Sequence, residues 1–268
     1  MTDITVLEVP QWQGSGVARA RELSKGAGLL AGTVPAGRHL VAEVPDERAP
    51  LRNGVEGLET LTAIAASARA CLAEAGDDLV VTAGGDCGVE LEPVAAASAR
   101  YGDSLAVVWF DAHGDLNTPE ASPSHAFHGM VLRTLVGEGP KELLPARPLR
   151  PEQVVLAGGR VLDDSEREFV ERSGMRHVLP AQAVDAVAET GATSVYVHID
   201  LDVLDPGAFA SLSYPEPDGI TPDELLAAVQ ALTARFTLVG LGITEYQPEN
   251  EQDQQTLRTL VPQLLGVS

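Results

Sequence analysis

Eight short apolar runs, spaced along the chain and separated by helical patterns, constrain the fold more than any other feature. Ile4–Val9, His39–Val44, Leu79–Ala83, Leu105–Phe110, Gln153–Ala157, Arg176–Leu179, Ser194–Ile199 and Phe236–Ile243 read as strands. Most are rich in Val, Ile and Leu and scarcely alternate with polar residues, the pattern of strands covered on both faces in a parallel sheet. Between them, Val55–Glu74 places Leu58, Leu61, Ile64, Ala65, Ala68 and Cys71 on one helical stripe. Thr221–Ala234 opens with an N-cap threonine, Pro222 at the first helical position and Glu224 at the third. Asp164–Gly174, Ala181–Thr190 and Gln254–Leu265 complete the helices read from the sequence. Repeated strand–helix order predicts right-handed crossovers and a doubly wound α/β sheet. No repeat or linker interrupts the pattern, so a single domain over 1–268 is expected.

In such sheets, ligands bind beyond the carboxyl ends of the strands. Four of those ends carry reactive groups: Gly84-Gly85-Asp86-Cys87, Asp111-Ala112-His113-Gly114-Asp115-Leu116-Asn117, His198-Ile199-Asp200-Leu201-Asp202-Val203-Leu204-Asp205-Pro206 and Thr244-Glu245-Tyr246. If each segment continues extended, Asp111, His113 and Asp115 point one way, and so do Asp200 and Asp202. Four converging carboxylates repel one another unless a cation compensates them. Aspartate with histidine suits Mn, Fe, Co, Ni or Zn, and four carboxylates invite two ions.

Charge narrows the partners. With 18 basic and 39 acidic residues the net charge is −21, which excludes a nucleic-acid partner and disfavours an anionic membrane. No apolar stretch has membrane-spanning length, and the first ten residues lack a basic leader region. Two cysteines, Cys71 and Cys87, make no disulfide framework, and a cytoplasmic location is expected.

The four segments resemble the ureohydrolase superfamily of arginases, agmatinases and formiminoglutamases, in order and over almost the whole chain. The resemblance implies a three-layer sandwich around a mostly parallel eight-stranded sheet. It also implies two Mn²⁺ ions bridged by a hydroxide that attacks a guanidino carbon. On that pattern Asp111 and Asp200 bridge the ions, His113 and Asp202 complete one, and Asp115 serves the other. The family's GGDH histidine is Cys87 here, so the resemblance places a thiolate at that ligand position. Three outcomes stay open: Cys87 ligates a retuned site, only the His113 ion binds, or Cys87 is a small buried residue. Asp86 reads as structural, and His125 is left as a loop residue.

By the same resemblance His128, 17 residues after Asp111, shuttles protons, Glu245 pairs with the guanidinium, and Asp115 belongs with them among the groups that carry the reaction. Asn117 and Ser124 match positions that recognise an α-carboxylate, and Asp163 matches one that binds an α-ammonium. Ala126 and Val161 replace an Asn and an Asp of arginases. The implied activity is hydrolysis of an arginine-like amino acid to urea or a urea derivative. Nω-hydroxyarginine, agmatine and other linear guanidino compounds are alternatives, as is a metal-poor protein that binds such a ligand without turnover. Only 23 residues follow Glu245, so the trimer-forming tail of arginases is expected to be missing and the oligomeric state is open.

Overall fold

The computed structural model describes residues 3–267; the expected domain limits at 1 and 268 lie outside the described residues. Eight strands appear in the expected places: β1 Ile4–Val9, β2 Arg38–Val41, β3 Leu79–Gly84, β4 Leu105–Asp111, β5 Val154–Gly158, β6 Arg176–Val178, β7 Ser194–Asp200 and β8 Thr237–Thr244. They form one sheet in the order β2-β1-β3-β8-β7-β4-β5-β6. Every pairing is parallel, where the family pattern required only most of them to be. The strand at Arg38–Val41 is shorter than the run His39–Val44 suggests, and it lies at the edge of the sheet.

The helices are α1 Arg21–Ala31, α2 Leu58–Ala75, α3 Leu91–Tyr101, α4 Val131–Leu135, α5 Asp164–Ser173, α6 Ala183–Thr190, α7 Pro222–Arg235 and α8 Glu251–Leu264. Alternation within a single strand sorts them into two layers. Ala106, Val108 and Phe110 of β4 pack with residues of α1, α6, α7 and α8 on one face. Leu105, Val107 and Trp109 pack with α2, α3, α4 and α5 on the other, where the β1 residues Leu7 and Val9 also meet α2. Burial on both faces explains the nearly unbroken apolar strands. Thr221 caps α7 as expected, accepting from the Glu224 amide at 3.2 Å while Glu224 accepts from the Thr221 amide at 2.8 Å.

Strand order positions the site. The chain leaves β3, crosses through α3 to β4, and returns later to insert β7 and β8 between them. The carboxyl ends of β3, β8, β7 and β4 therefore stand side by side at the place where the winding reverses, where a crevice is expected.

Candidate metal centre

Asp86 closes the turn after β3. Its carboxylate accepts from the Gly14 amide at 2.8 Å, the Gly88 amide at 2.9 Å and Gln11 Nε2 at 2.8 Å, which fits the structural role read from the sequence. The turn delivers Cys87 into the sheet, 1% exposed. Its Sγ lies 3.0 Å from Asp200 Oδ2, 3.1 Å from Thr244 Oγ1 and 3.7 Å from His198 Nε2.

Asp111 ends β4, accepting from Trp109 Nε1 at 3.1 Å and the His113 amide at 2.6 Å. His113 Nδ1 sits 2.9 Å from Asp202 Oδ2 and 3.5 Å from Asp111 Oδ1. The side chains converge, yet not through an extended chain. The strand stops at Asp111, and Asp115 reaches the cluster with φ of +53°, in the left-handed region. After Asp200 a 3₁₀ turn, Leu201–Val203, carries Asp202, whose amide donates to Asp200 Oδ1 at 2.7 Å. In the two turns, Asp111 and Asp200 each accept a backbone N–H from two residues on, which holds the chain out of strand alternation.

The potential ligand atoms fall into three groups, each within 4.8 Å: Asp111, His113 and Asp202; Cys87, Asp111, Asp115 and His198; and Cys87, Asp200 and Glu245. All six side chains expected as ligands are brought together. Asp111 is shared between two groups, as a bridging residue requires. Asp200 lies with Cys87 and Glu245 rather than in the His113 group. His198 was not singled out from the sequence. The signal was present: it lies two residues before Asp200 on β7 and so shares its face. His125 stays outside the cluster, with Nδ1 at 3.0 Å from the Gly54 carbonyl.

The donor set fits divalent cations. Oδ2 of Asp115 is buried with no hydrogen-bond partner, an unusual position for a carboxylate oxygen unless a cation meets it. Electrostatics agree. Burial, then the neighbouring carboxylates, push Asp115 and Asp200 well above the usual carboxylate range. Burial and Asp111 hold Asp202 at about 6 against the pull of His113. Burial also raises Asp111, but its hydrogen bonds and charge attraction to His113 win and hold it at about 2.

Beside this cluster is a cavity of about 230 Å³. Asp115, Asp200, Asp202, His113, His128 and Glu245 line it together with Asn117, Ser124 and Asp163. A larger groove of about 650 Å³ between α2 and α3 holds none of these groups. Glu245, with φ of +61°, accepts from His128 Nδ1 at 3.1 Å, Ser213 Oγ at 2.5 Å and the Cys87 amide at 3.2 Å. Burial lowers the proton affinity of His128, but the hydrogen bond and charge of Glu245 outweigh it and raise the imidazole above its ordinary value. Asn117 Nδ2 donates to Asp163 Oδ2 at 2.8 Å, and Asn117 Oδ1 accepts from Ser165 Oγ at 3.0 Å. Ser124 Oγ accepts from the Ala126 amide at 3.2 Å.

Further lining residues escaped sequence reasoning, among them Ser213, Tyr214 and Glu166. Ser213 and Tyr214 lie in a loop with no periodic signal, and Glu166 is the third residue of a capping box opened by Asp163. Val161 lines the cavity where arginases carry a charge, while Ala126 is buried beside Ser124.

A fully parallel sheet with a carboxylate-, histidine- and thiol-bearing crevice at its reversal point defines an α/β protein with a candidate metal centre. The chain matches the arginase family over residues 30–265, and it belongs to that family. An arginase of Staphylococcus aureus is 34% identical over 188 residues, 65% of this chain and 62% of its own length. The chain thus spans a little under two thirds of that relative. An N(omega)-hydroxy-L-arginine amidinohydrolase of Streptomyces lavendulae is 33% identical over 210 residues, 76% of this chain and 73% of its own. Among solved structures, an arginase of Entamoeba histolytica has a TM-score of 0.87 at 23% identity, covering 100% of both chains. An arginase of Bacillus subtilis has a TM-score of 0.80 at 27% identity, covering 99% of each.

Proposed function

We propose that this protein hydrolyses the guanidino group of an arginine-like amino acid, releasing urea or a urea derivative. The observation that carries this reading is the pairing of His128 with Glu245 at 3.1 Å, in one cavity with the metal-ligand cluster. Asp111, His113 and Asp202 would hold one divalent ion, and Cys87, Asp115 and Asp200 with Asp111 the second, with Mn²⁺ the family's choice. The thiol of Cys87 shifts preference toward Zn, Fe or Co. Bound there, such ions supply an acidified water and offset the clustered negative charge.

The protein's own groups do the rest. Glu245 receives the guanidinium N–H groups, its carboxylate already held by three donors. Addition of a water oxygen to the guanidino carbon and cleavage of its bond to the chain nitrogen leaves an amine that must gain a proton. His128, raised toward the imidazolium form, holds that proton within the cavity. Asp115, lining the same cavity, takes the proton of the attacking water. Asn117 orients Asp163 for an α-ammonium, and Ser124 faces an α-carboxylate.

A second reading, Nω-hydroxyarginine as substrate, is supported by likeness to the Streptomyces protein. The Cys87 thiolate points the same way, since a hydroxylated guanidine has a lower pKa and a better metal-binding oxygen and so suits a weakened metal pair. We also read 1–268 as one domain. No described helix is long and apolar enough to cross a membrane, and the free cysteines Cys71 and Cys87 support a reducing, cytoplasmic compartment. Urea release from arginine, Nω-hydroxyarginine and agmatine, after loading with Mn²⁺, Co²⁺ or Zn²⁺, tests the proposal. Turnover of an amino acid substrate is expected. Absence of turnover with any of the three, in protein shown to hold metal, would refute it.

A further inference from the structure

Behind Cys87 lies a sealed group of polar side chains that the proposed reaction does not use. Glu90, in the short 3₁₀ turn Cys87–Glu90, is fully buried, and neither carboxyl oxygen has a hydrogen-bond partner. The Nδ1 atom of His198 is 3.5 Å from Glu90 Oε2 and is also unpartnered. Thr82 Oγ1 and the Tyr196 hydroxyl complete the orphaned set. Leaving a carboxyl group and an imidazole bare in a packed interior is costly. Such groups persist where they act on each other.

The surroundings are shaped for this pair. At Gly242 of β8 a Cβ atom would fall inside the carboxyl group of Glu90, so only glycine leaves room for it. Gly240, two residues earlier on the same face, makes the same space for the Tyr196 ring. The His198 ring stacks on Trp109, centroids 3.6 Å apart and planes at 22°, which fixes the ring plane. Trp109 is tied in turn to Asp111 through its indole N–H. One nitrogen of His198 therefore faces Glu90, and the other faces Cys87, Asp111 and Asp115.

We infer that Glu90 is a positioning residue: it takes the Nδ1 proton of His198 in a hydrogen bond and so presents the Nε2 lone pair to the Cys87–Asp111–Asp115 group as a nitrogen ligand. A carboxylate only accepts, so the proton of a neutral imidazole belongs on the nitrogen facing it. Carboxylate–imidazole–metal relays of this kind set ligand orientation and are worth about 10- to 100-fold in metal affinity. The inner group gains an imidazole from β7 although the turn after β3 supplies a thiol. The ligand half of the inference rests on the metal-binding reading above; the Glu90–His198 contact does not.

Two measurements test it. Long-range ¹H–¹⁵N correlation on metal-free, ¹⁵N-histidine-labelled full-length protein reports which His198 nitrogen is protonated. A protonated Nδ1 is expected, and an unprotonated Nδ1 overturns the inference without any variant. Calorimetric titration with MnCl₂ or ZnCl₂ then compares wild type, Glu90→Gln and Glu90→Leu. Glu90→Gln keeps an acceptor oxygen and should bind the second ion within about threefold of wild type, whereas Glu90→Leu should bind it about 10- to 100-fold more weakly. The first ion, at Asp111, His113 and Asp202, should be unaffected. Equal second-ion affinity in a folded Glu90→Leu protein overturns the positioning role. If Glu90→Leu does not fold, the Nδ1 readout in wild type and Glu90→Gln decides. Two bound ions without urea release would sink the proposed hydrolysis and leave this inference standing.

Discussion

Metal binding to this protein should expel protons, and the number follows from the side chains that meet the ion. Burial, then the charges of Asp200, Asp115, Glu245 and Asp111, push the Cys87 thiol far above its ordinary value, so it is protonated at pH 7. Burial pushes His113 down, but hydrogen bonds and charge attraction to Asp111 and Asp202 overcome it and hold the ring as imidazolium. Ligation requires a thiolate and a neutral imidazole. These two side chains alone release about two protons per chain at pH 7. Asp115 and Asp200, raised by burial and by their carboxylate neighbours, add the protons they hold at the working pH, and Asp202, held at about 6, adds a growing fraction as the pH is lowered. Calorimetric titration of metal-free protein in two buffers of different ionisation enthalpy reads the count directly. We expect at least about two at pH 7, more near pH 6, and one fewer in Cys87→Ser at either pH. Equal release from wild type and Cys87→Ser would show that the thiol keeps its proton and is no ligand. Release of less than about one proton in total would refute the account of His113 as well.

Saturating Mn²⁺ or Zn²⁺ should raise the melting temperature: at about 1,000 times Kd each ion adds about 4 kcal/mol, and the unfolding entropy of a 268-residue chain converts that to about 7 °C. No shift with any divalent ion tested would contradict the cluster's fit to metal. Burial, and then Glu245, raise Asp86 from 3.8 to about 6, so the folded state binds its proton more tightly than the unfolded state does. The stability this contributes is present below pH 4 and lost as pH rises through about 6, on the order of 3 kcal/mol across that window. Asp86→Asn should flatten the pH dependence of urea unfolding there in metal-free protein, and an unchanged slope would count against it. Ser213→Ala removes the 2.5 Å hydrogen bond to Glu245 Oε2, the only donor on that oxygen among the described residues. A loss of about tenfold in kcat/KM for urea release is expected from one hydrogen bond to a charged group, and unchanged kinetics would show that Ser213 does not position Glu245.

Much of this architecture was legible because β-structure covered on both faces leaves a plain mark. All eight apolar runs became strands, and the Thr221–Glu224 capping box marked α7. Three helices went unseen for separate reasons. α1 carries Gly26 and Gly28 in its interior, and Gly26 is needed because its backbone packs against the Tyr246 carbonyl. α3 follows a 3₁₀ turn directly, so the strand-end motif hid its start, and α4 spans only Val131–Leu135. In the cluster, residue types were legible but the route was not. Positive φ at Asp115 and Glu245 and the 3₁₀ turn after Asp200 aim side chains in ways that period-two counting does not describe. His198 and Glu90 were missed because each sits in a segment already explained, one as strand core and one as the turn after Cys87. Their partnership spans more than a hundred residues and exists only in the folded sheet.

The place of β8 has a consequence for assembly. The last strand of the chain fills the slot between β3 and β7. Until it arrives, the sheet exists as two unconnected pieces, β2-β1-β3 and β7-β4-β5-β6, with Cys87 following the first and Asp111, His198 and Asp200 belonging to the second. A ribosome-bound chain that lacks residues from Thr237 onward therefore has Cys87 in one half and the other proposed ligands in the other. Joining them is a long-range step, slow compared with local helix formation. The inner cluster is then among the final parts of the molecule to form, and on the proposed ligand set loading of the second ion, unlike that at Asp111, His113 and Asp202, would report completion of the fold.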